Sequence, residues 1–125
     1  MEDRPYTIIW ENYPNERIKV SLPTYFSNFK YIKIKVKEIF TDLDRWSQLD
    51  LWHPYFPYDK LEGLLAYNTG GRKIINLLRY FKSGHKFPSF QMPYRKDIEL
   101  KMAYDVVEGK GMSTVGIVIE FTPVN

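Results

Sequence analysis

Three stretches of this chain alternate apolar and polar residues one for one, a period that suits a half-buried β-strand and no helix. In Tyr31-Ile32-Lys33-Ile34-Lys35-Val36-Lys37, strand geometry sends Ile32, Ile34 and Val36 to one face and three lysines to the other. Asp97-Ile98-Glu99-Leu100-Lys101-Met102 repeats the pattern, as does Val115 to Phe121, where every odd position is apolar. Strands of this kind pair antiparallel, with one face on a core and the other on water. The first of them carries a purely cationic outer stripe.

At 125 residues the chain fits one β-sandwich domain spanning residues 1–125. It has no cysteine, which excludes a disulfide framework, a thiolate metal site and a cysteine nucleophile. No apolar run reaches the roughly 20 residues that cross a bilayer. The acidic Met1-Glu2-Asp3 start is unlike a signal peptide, so the expectation is a soluble protein with no membrane partner.

The formal net charge of +3 conceals opposed blocks. Residues 17 to 37 hold Arg17, Lys19, Lys30, Lys33, Lys35 and Lys37 with no acid, whereas residues 38 to 69 are net acidic. Residues 72 to 101 are basic again, through Arg72, Lys73, Arg79, Lys82, Lys86, Arg95, Lys96 and Lys101 against Asp97 and Glu99. Segregated charge suits a polyanion on one side of the molecule. A half-exposed sheet that solvates its outer face with lysine, discouraging edge aggregation, accounts for the same residues. Ten Tyr, eight Phe and three Trp supply contact area for an extensive interface or for an ordinary β core.

Along the chain, Tyr6 to Trp10 is a short β-prone run and Arg17 to Leu22 a second strand closed by Pro23. Asp42 to Tyr58, with Trp46, Trp52, Pro54 and Pro57, reads as a long aromatic loop with one short strand around Gln48 to Trp52. Leu61, Leu64 and Leu65 after Asp59 predict a short helix ending before Gly70-Gly71. Residues 72–81 fit a helix by the spacing of Ile74, Leu77, Leu78 and Phe81. The β-branched pair Ile74-Ile75 and the flanking glycines tip the reading toward strand. Residues 82–95 read as a loop, and a turn at Glu108 to Gly111 joins the last two strands.

The residues offer little for catalysis. His53 and His85 stand in no metal-binding spacing. Asp42, Asp44, Asp50, His53 and Asp59 could assemble a divalent-metal site for phosphodiester cleavage, though a solvated acidic loop explains them as well. Gly70-Gly71 beside Arg72 and Lys73 lacks the spacing of a phosphate-binding loop and fits a helix stop. No catalytic residue, metal ligand or cofactor is assigned.

Nucleic-acid binding has better support. Lys33, Lys35 and Lys37 recur about 7 Å apart along a strand, close to the phosphate spacing of a single nucleic-acid strand. Tyr31 shares their face and could stack a base. If the strands bearing Lys19 and Lys101 belong to the same sheet, their lysines extend the row into a patch. Lysine reads phosphate and not base edges, so the binding expected is weak, salt-sensitive and nonspecific.

Arg17-Ile-Lys-Val-Ser-Leu-Pro followed by Phe29-Lys-Tyr-Ile-Lys-Ile-Lys-Val-Lys-Glu-Ile-Phe resembles the paired early strands of capsid proteins from circoviruses and related circular single-stranded DNA viruses. Pro57-Tyr-Asp-Lys-Leu-Glu-Gly-Leu-Leu-Ala-Tyr-Asn is similar to the short helix in the middle of such capsids. Leu78-Arg-Tyr-Phe-Lys is similar to their arginine-tyrosine-phenylalanine segment, and Val115-Gly-Ile-Val-Ile-Glu-Phe-Thr-Pro to their closing strand. The resemblance implies a single jelly roll, self-assembly into an icosahedral shell, and an inner surface holding the DNA genome. Lys33, Lys35, Lys37 and Arg79 are the residues it implies for DNA contact.

The sequence thus predicts an all-β, antiparallel sandwich of jelly-roll type with one short helix. It is read as a non-enzymatic viral capsid protein, found in the virion and intracellular before assembly. Its partners are further copies of itself and single-stranded DNA. Lys19, Lys33, Lys35, Lys37, Arg79 and Lys101 are the candidate nucleic-acid contacts, and Trp46, Trp52, Tyr55 and Phe56 the candidate self-association residues. The alternative is a small nucleic-acid-binding or phage-type inhibitor module.

Overall fold

The computed structural model describes residues 3–12, 17–53, 72–84, 86–109 and 114–125. The strands in chain order are β1 (Tyr6–Asn12), β2 (Arg17–Ser21), β3 (Tyr31–Phe40), β4 (Trp46–His53), β5 (Arg72–Asn76), β6 (Ser89–Pro93), β7 (Asp97–Val106) and β8 (Val115–Val124), with helix α1 (Leu77–Ser83) between β5 and β6. They form two four-stranded sheets, ordered β1-β8-β3-β6 and β2-β7-β4-β5, with every pairing antiparallel. The chain is an all-β sandwich. Four pairings are concentric: β4 with β5, β3 with β6, β2 with β7 and β1 with β8. That is the arrangement of one long antiparallel ribbon wrapped so that successive strand pairs fall in alternate sheets.

The three alternating stretches become β3, β7 and β8, and each turns its apolar set inward as period two demands. Ile32, Ile34, Val36, Ile98, Leu100, Met102, Val115, Ile117, Ile119 and Phe121 are all buried in one core cluster that spans both sheets. Val20, Leu49, Leu51, Ile75 and Met92 complete it from the flanking strands. Phe26, fully buried, enters from a 3-10 turn over Thr24–Asn28 behind Pro23.

Three register shifts interrupt the pairing of the described strands, one of them between Leu51 and Trp52 against β5. β3 slips against β8 between Val36 and Glu38, so Lys37 and Glu38 both face solvent and Ile39, not Glu38, returns to the core. The third shift, between Trp46 and Gln48, lets Trp46 and Leu49 point inward from the same strand.

The structure corrects several expected elements. Residues 72–81 are neither all strand nor all helix. Ile74 and Ile75 lie in β5, and the chain then turns directly into α1, where Asn76 accepts a hydrogen bond from the Arg79 backbone N–H at 2.9 Å as N-cap. Gly84 closes the helix in the left-handed conformation at φ +72°, a geometry that penalises any residue with a Cβ. The expected loop over 82–95 contains β6, whereas the short strand expected around Gln48 to Trp52 is present as the longer, eight-residue β4. The helix expected around Leu61 to Leu65 lies outside the described residues. The helix that is described is α1.

Candidate nucleic-acid interface

β3 occupies an inner position of its sheet, between β8 and β6, so its outward side chains sit mid-face and not at an edge. Tyr31 lies opposite Val124 and Pro93, Lys33 opposite Thr122 and Gln91, and Lys35 opposite Glu120 and Ser89. Neutral polar residues therefore stand directly across from Lys33 on both neighbouring strands. Among the described residues neither Lys33 nor Lys35 is ion-paired. Lys37 approaches Glu120 at 3.8 Å, a contact between side chains 44% and 25% exposed. At that exposure the pair is worth little, and an incoming phosphate can compete for the ammonium. Tyr31 remains 41% exposed at the end of the row.

A shallow open depression of about 350 Å³ lies beside this row, lined by Lys35, Val36, Lys37, Gly84, Lys86 and Phe87. The bulge at Lys37 and the end of α1 at Gly84 create it together. Phe87 is half-buried and packs on Tyr80 with ring centroids 6.1 Å apart. The opposite end of the face mixes apolar side chains with two exposed carboxylates, Glu11 opposite Gly116 and Glu38 opposite Val118. Ile9, Val118 and Phe40 form a strip there, and Phe40 folds over Gly116, where an added Cβ would stand 3.3 Å from its ring and Cβ.

The remaining predicted cations do not extend this patch. Lys19 lies on β2 and Lys101 on β7, both in the other sheet, so the continuous row considered from sequence does not form. Lys19 stands 3.6 Å from Asp97, and Arg17 stands 3.8 Å from Glu99. Asp97 also accepts from the Ser21 hydroxyl at 2.7 Å. That hydrogen bond, with the Lys19 and Lys96 charges, holds the Asp97 carboxyl below the usual carboxylate range. On this face cations alternate with carboxylates, an arrangement that solvates a sheet and does not gather polyanions. Arg79 is exposed on α1, off the sheet faces.

Of the aromatic residues expected to meet a second copy, Trp46 is a correction. It is 1% exposed, its indole N–H donates to Thr41 Oγ1 at 2.7 Å, and Tyr104 meets it edge-on at 5.4 Å. A side chain so enclosed cannot contact a partner. Trp52 is half-buried, with its Nε1 enclosed and without a hydrogen-bond partner among the described residues. Tyr55 and Phe56 lie outside the described residues.

The acidic cluster disperses. Asp42 and Asp44 shape a one-turn 3-10 segment, with Asp42 Oδ1 accepting from the Asp44 N–H at 3.1 Å and Asp42 Oδ2 lying 3.5 Å from Arg45. Asp50 is buried in β4, accepting from Gln48 Nε2 at 2.6 Å. The His53 side chain and Asp59 fall outside the described residues. Among the described residues no three potential ligands converge on a metal position, and no helix there is long and apolar enough to cross a membrane.

Sequence reading assigns no site role to Lys86 or Phe87. They follow a glycine in a segment without periodicity, and only the ribbon's wrapping carries them to β3. No protein-family model, curated protein or solved structure matches this chain.

Proposed function

We propose that this chain is the subunit of a self-assembling viral shell and holds single-stranded DNA, without sequence preference, against the outer face of β3. The observation that carries this reading is the row of Tyr31, Lys33, Lys35 and Lys37 on an inner strand, its first two lysines outside any ion pair among the described residues. A flat cationic row at about 7 Å intervals suits a flexible phosphodiester backbone, and an exposed tyrosine at its end suits an unpaired base.

The concentric pairing and the sheet orders β1-β8-β3-β6 and β2-β7-β4-β5 are those of a jelly roll built on two Greek keys, which supports the finer fold reading. A jelly roll is compatible with other roles, so the shell rests on the capsid resemblance and the DNA contact on the lysine row. In such a shell β3 faces the enclosed genome.

Negative-stain imaging of the purified chain tests assembly, with discrete closed particles as the expected result. Titration of labelled oligo(dT) at several salt concentrations tests the face. Each phosphate neutralised on a single strand adds roughly 0.7 to the slope of log affinity against log salt, so replacing Lys33, Lys35 and Lys37 together by Ser should flatten that slope by about 2. An unchanged isotherm would leave these lysines merely solvating a sheet. A stable 15.0 kDa species that still binds DNA would replace the shell with a small nucleic-acid-binding module.

A further inference from the structure

We infer that the depression between the β3 bulge and the end of α1 seats one nucleotide of a single strand, its phosphate among Lys35, Lys37 and Lys86 and its base against Phe87. This inference rests on the nucleic-acid reading above and adds to it a discrete site and a preference for unpaired strands.

Three cationic side chains that come from two separated segments converge on one open cavity of about 350 Å³. Lys35 and Lys37 reach it from β3, and Lys86 from the connection that follows Gly84. Three lysines bordering one concavity give it a positive potential, which favours an anion there. Glu120 lies 3.8 Å from Lys37 and reduces the local charge without filling the cavity. The fourth side is aromatic. Phe87 is only partly buried, and Tyr80 packs against it at a 43° tilt with ring centroids 6.1 Å apart, which restrains the ring. Gly84 leaves the rim low, since nothing lies within 4 Å of where its Cβ would be.

Phosphate on ammonium and base on an aromatic ring are the two contacts that sequence-tolerant single-strand binding uses. A base paired within a duplex is stacked and cannot present its face to Phe87. The site therefore discriminates single from double strands, which a bare lysine row does not. The geometry supplies no paired donor and acceptor for base edges, so every base is accepted.

The test uses the intact chain with fluorescein-labelled oligo(dT), the same strand carrying abasic positions, and a matched duplex. The expected results are that Lys86→Ser lowers the salt slope by roughly 0.7, and that Phe87→Leu weakens oligo(dT) binding about tenfold with no effect on the abasic strand. Glu120→Gln should tighten binding several-fold by freeing Lys37. Because Phe87 packs on Tyr80, a second measurement leaves the protein unaltered: a strand containing 5-bromouracil, irradiated in the wild-type complex, should crosslink at Phe87. Wild-type binding of DNA with no crosslink there, and with Lys86→Ser and Phe87→Leu indistinguishable from wild type, overturns the seat and leaves the lysine-row reading standing. A wild-type chain that binds no oligo(dT) overturns both.

Discussion

Replacing Trp46 with Phe separates a core role from an interface role. The indole is 1% exposed and donates its only N–H to Thr41 at 2.7 Å. Phenylalanine keeps an aromatic ring beside Tyr104 but removes that bond, at a cost of about 1 kcal/mol. It also leaves the volume of the missing ring atoms only partly refilled, for another ~1–2 kcal/mol. The expected total, roughly 2–3 kcal/mol, is a large share of a stability on the order of 5–15 kcal/mol and corresponds to a melting temperature lower by roughly 10 °C. Thr41→Val should cost about 1–2 kcal/mol by stranding the buried indole N–H. The double variant should fall short of additivity by about 1 kcal/mol, since both changes delete the same bond. Urea denaturation followed by tryptophan fluorescence and circular dichroism measures all four proteins. An unchanged urea midpoint for Trp46→Phe, together with an altered assembly state, would refute the core assignment.

Two further expectations concern carboxylates. Asp97 has a lowered pKa, caused first by the Ser21 hydrogen bond and then by Lys19 and Lys96, with partial desolvation opposing them. A depressed carboxylate contributes stability that is present in full above its unfolded value, near pH 4, and is lost as pH falls through the folded value. Ser21→Ala should move the Asp97 titration, followed by carboxyl-carbon NMR, upward toward the ordinary value; an unmoved midpoint would mean that the hydroxyl is not the cause. Asp50 is 1% exposed, and its Oδ1 has no hydrogen-bond partner among the described residues. Asp50→Asn keeps the shape and an acceptor for Gln48 but sets an amide NH2 where Oδ1 is enclosed, so it should lower stability by roughly 1–3 kcal/mol. Unchanged or raised stability in urea melts would show that a nearby group accepts from that amide.

Much of the architecture was legible because half-buried strands write their burial into the sequence at period two. β3, β7 and β8 were visible on that ground, and with them most of the core and the outward lysines of β3. The parity argument fails where a bulge inserts a residue. Trp46 looked like a loop aromatic because the shift before Gln48 hides the spacing that places it with Leu49 on the inner face. The strand-to-helix junction at Asn76 was similarly hidden, since Ile74 through Phe81 satisfies both periods and only the cap at Asn76 divides them.

The charge of the chain was readable as composition, but its distribution over the surface was not. Lys19 and Lys33 look alike in sequence, each lying between apolar neighbours. The wrapping of the ribbon sets Lys19 opposite Glu99 and within 3.6 Å of Asp97, and sets Lys33 between Thr122 and Gln91. Local alternation determines which way a side chain points, because that depends on the residue's own backbone. What a side chain then meets depends on strands far away along the chain. Only tertiary structure could therefore decide that one lysine stands among carboxylates and another between neutral side chains, and that Lys86 and Phe87 are brought beside Lys35 and Lys37.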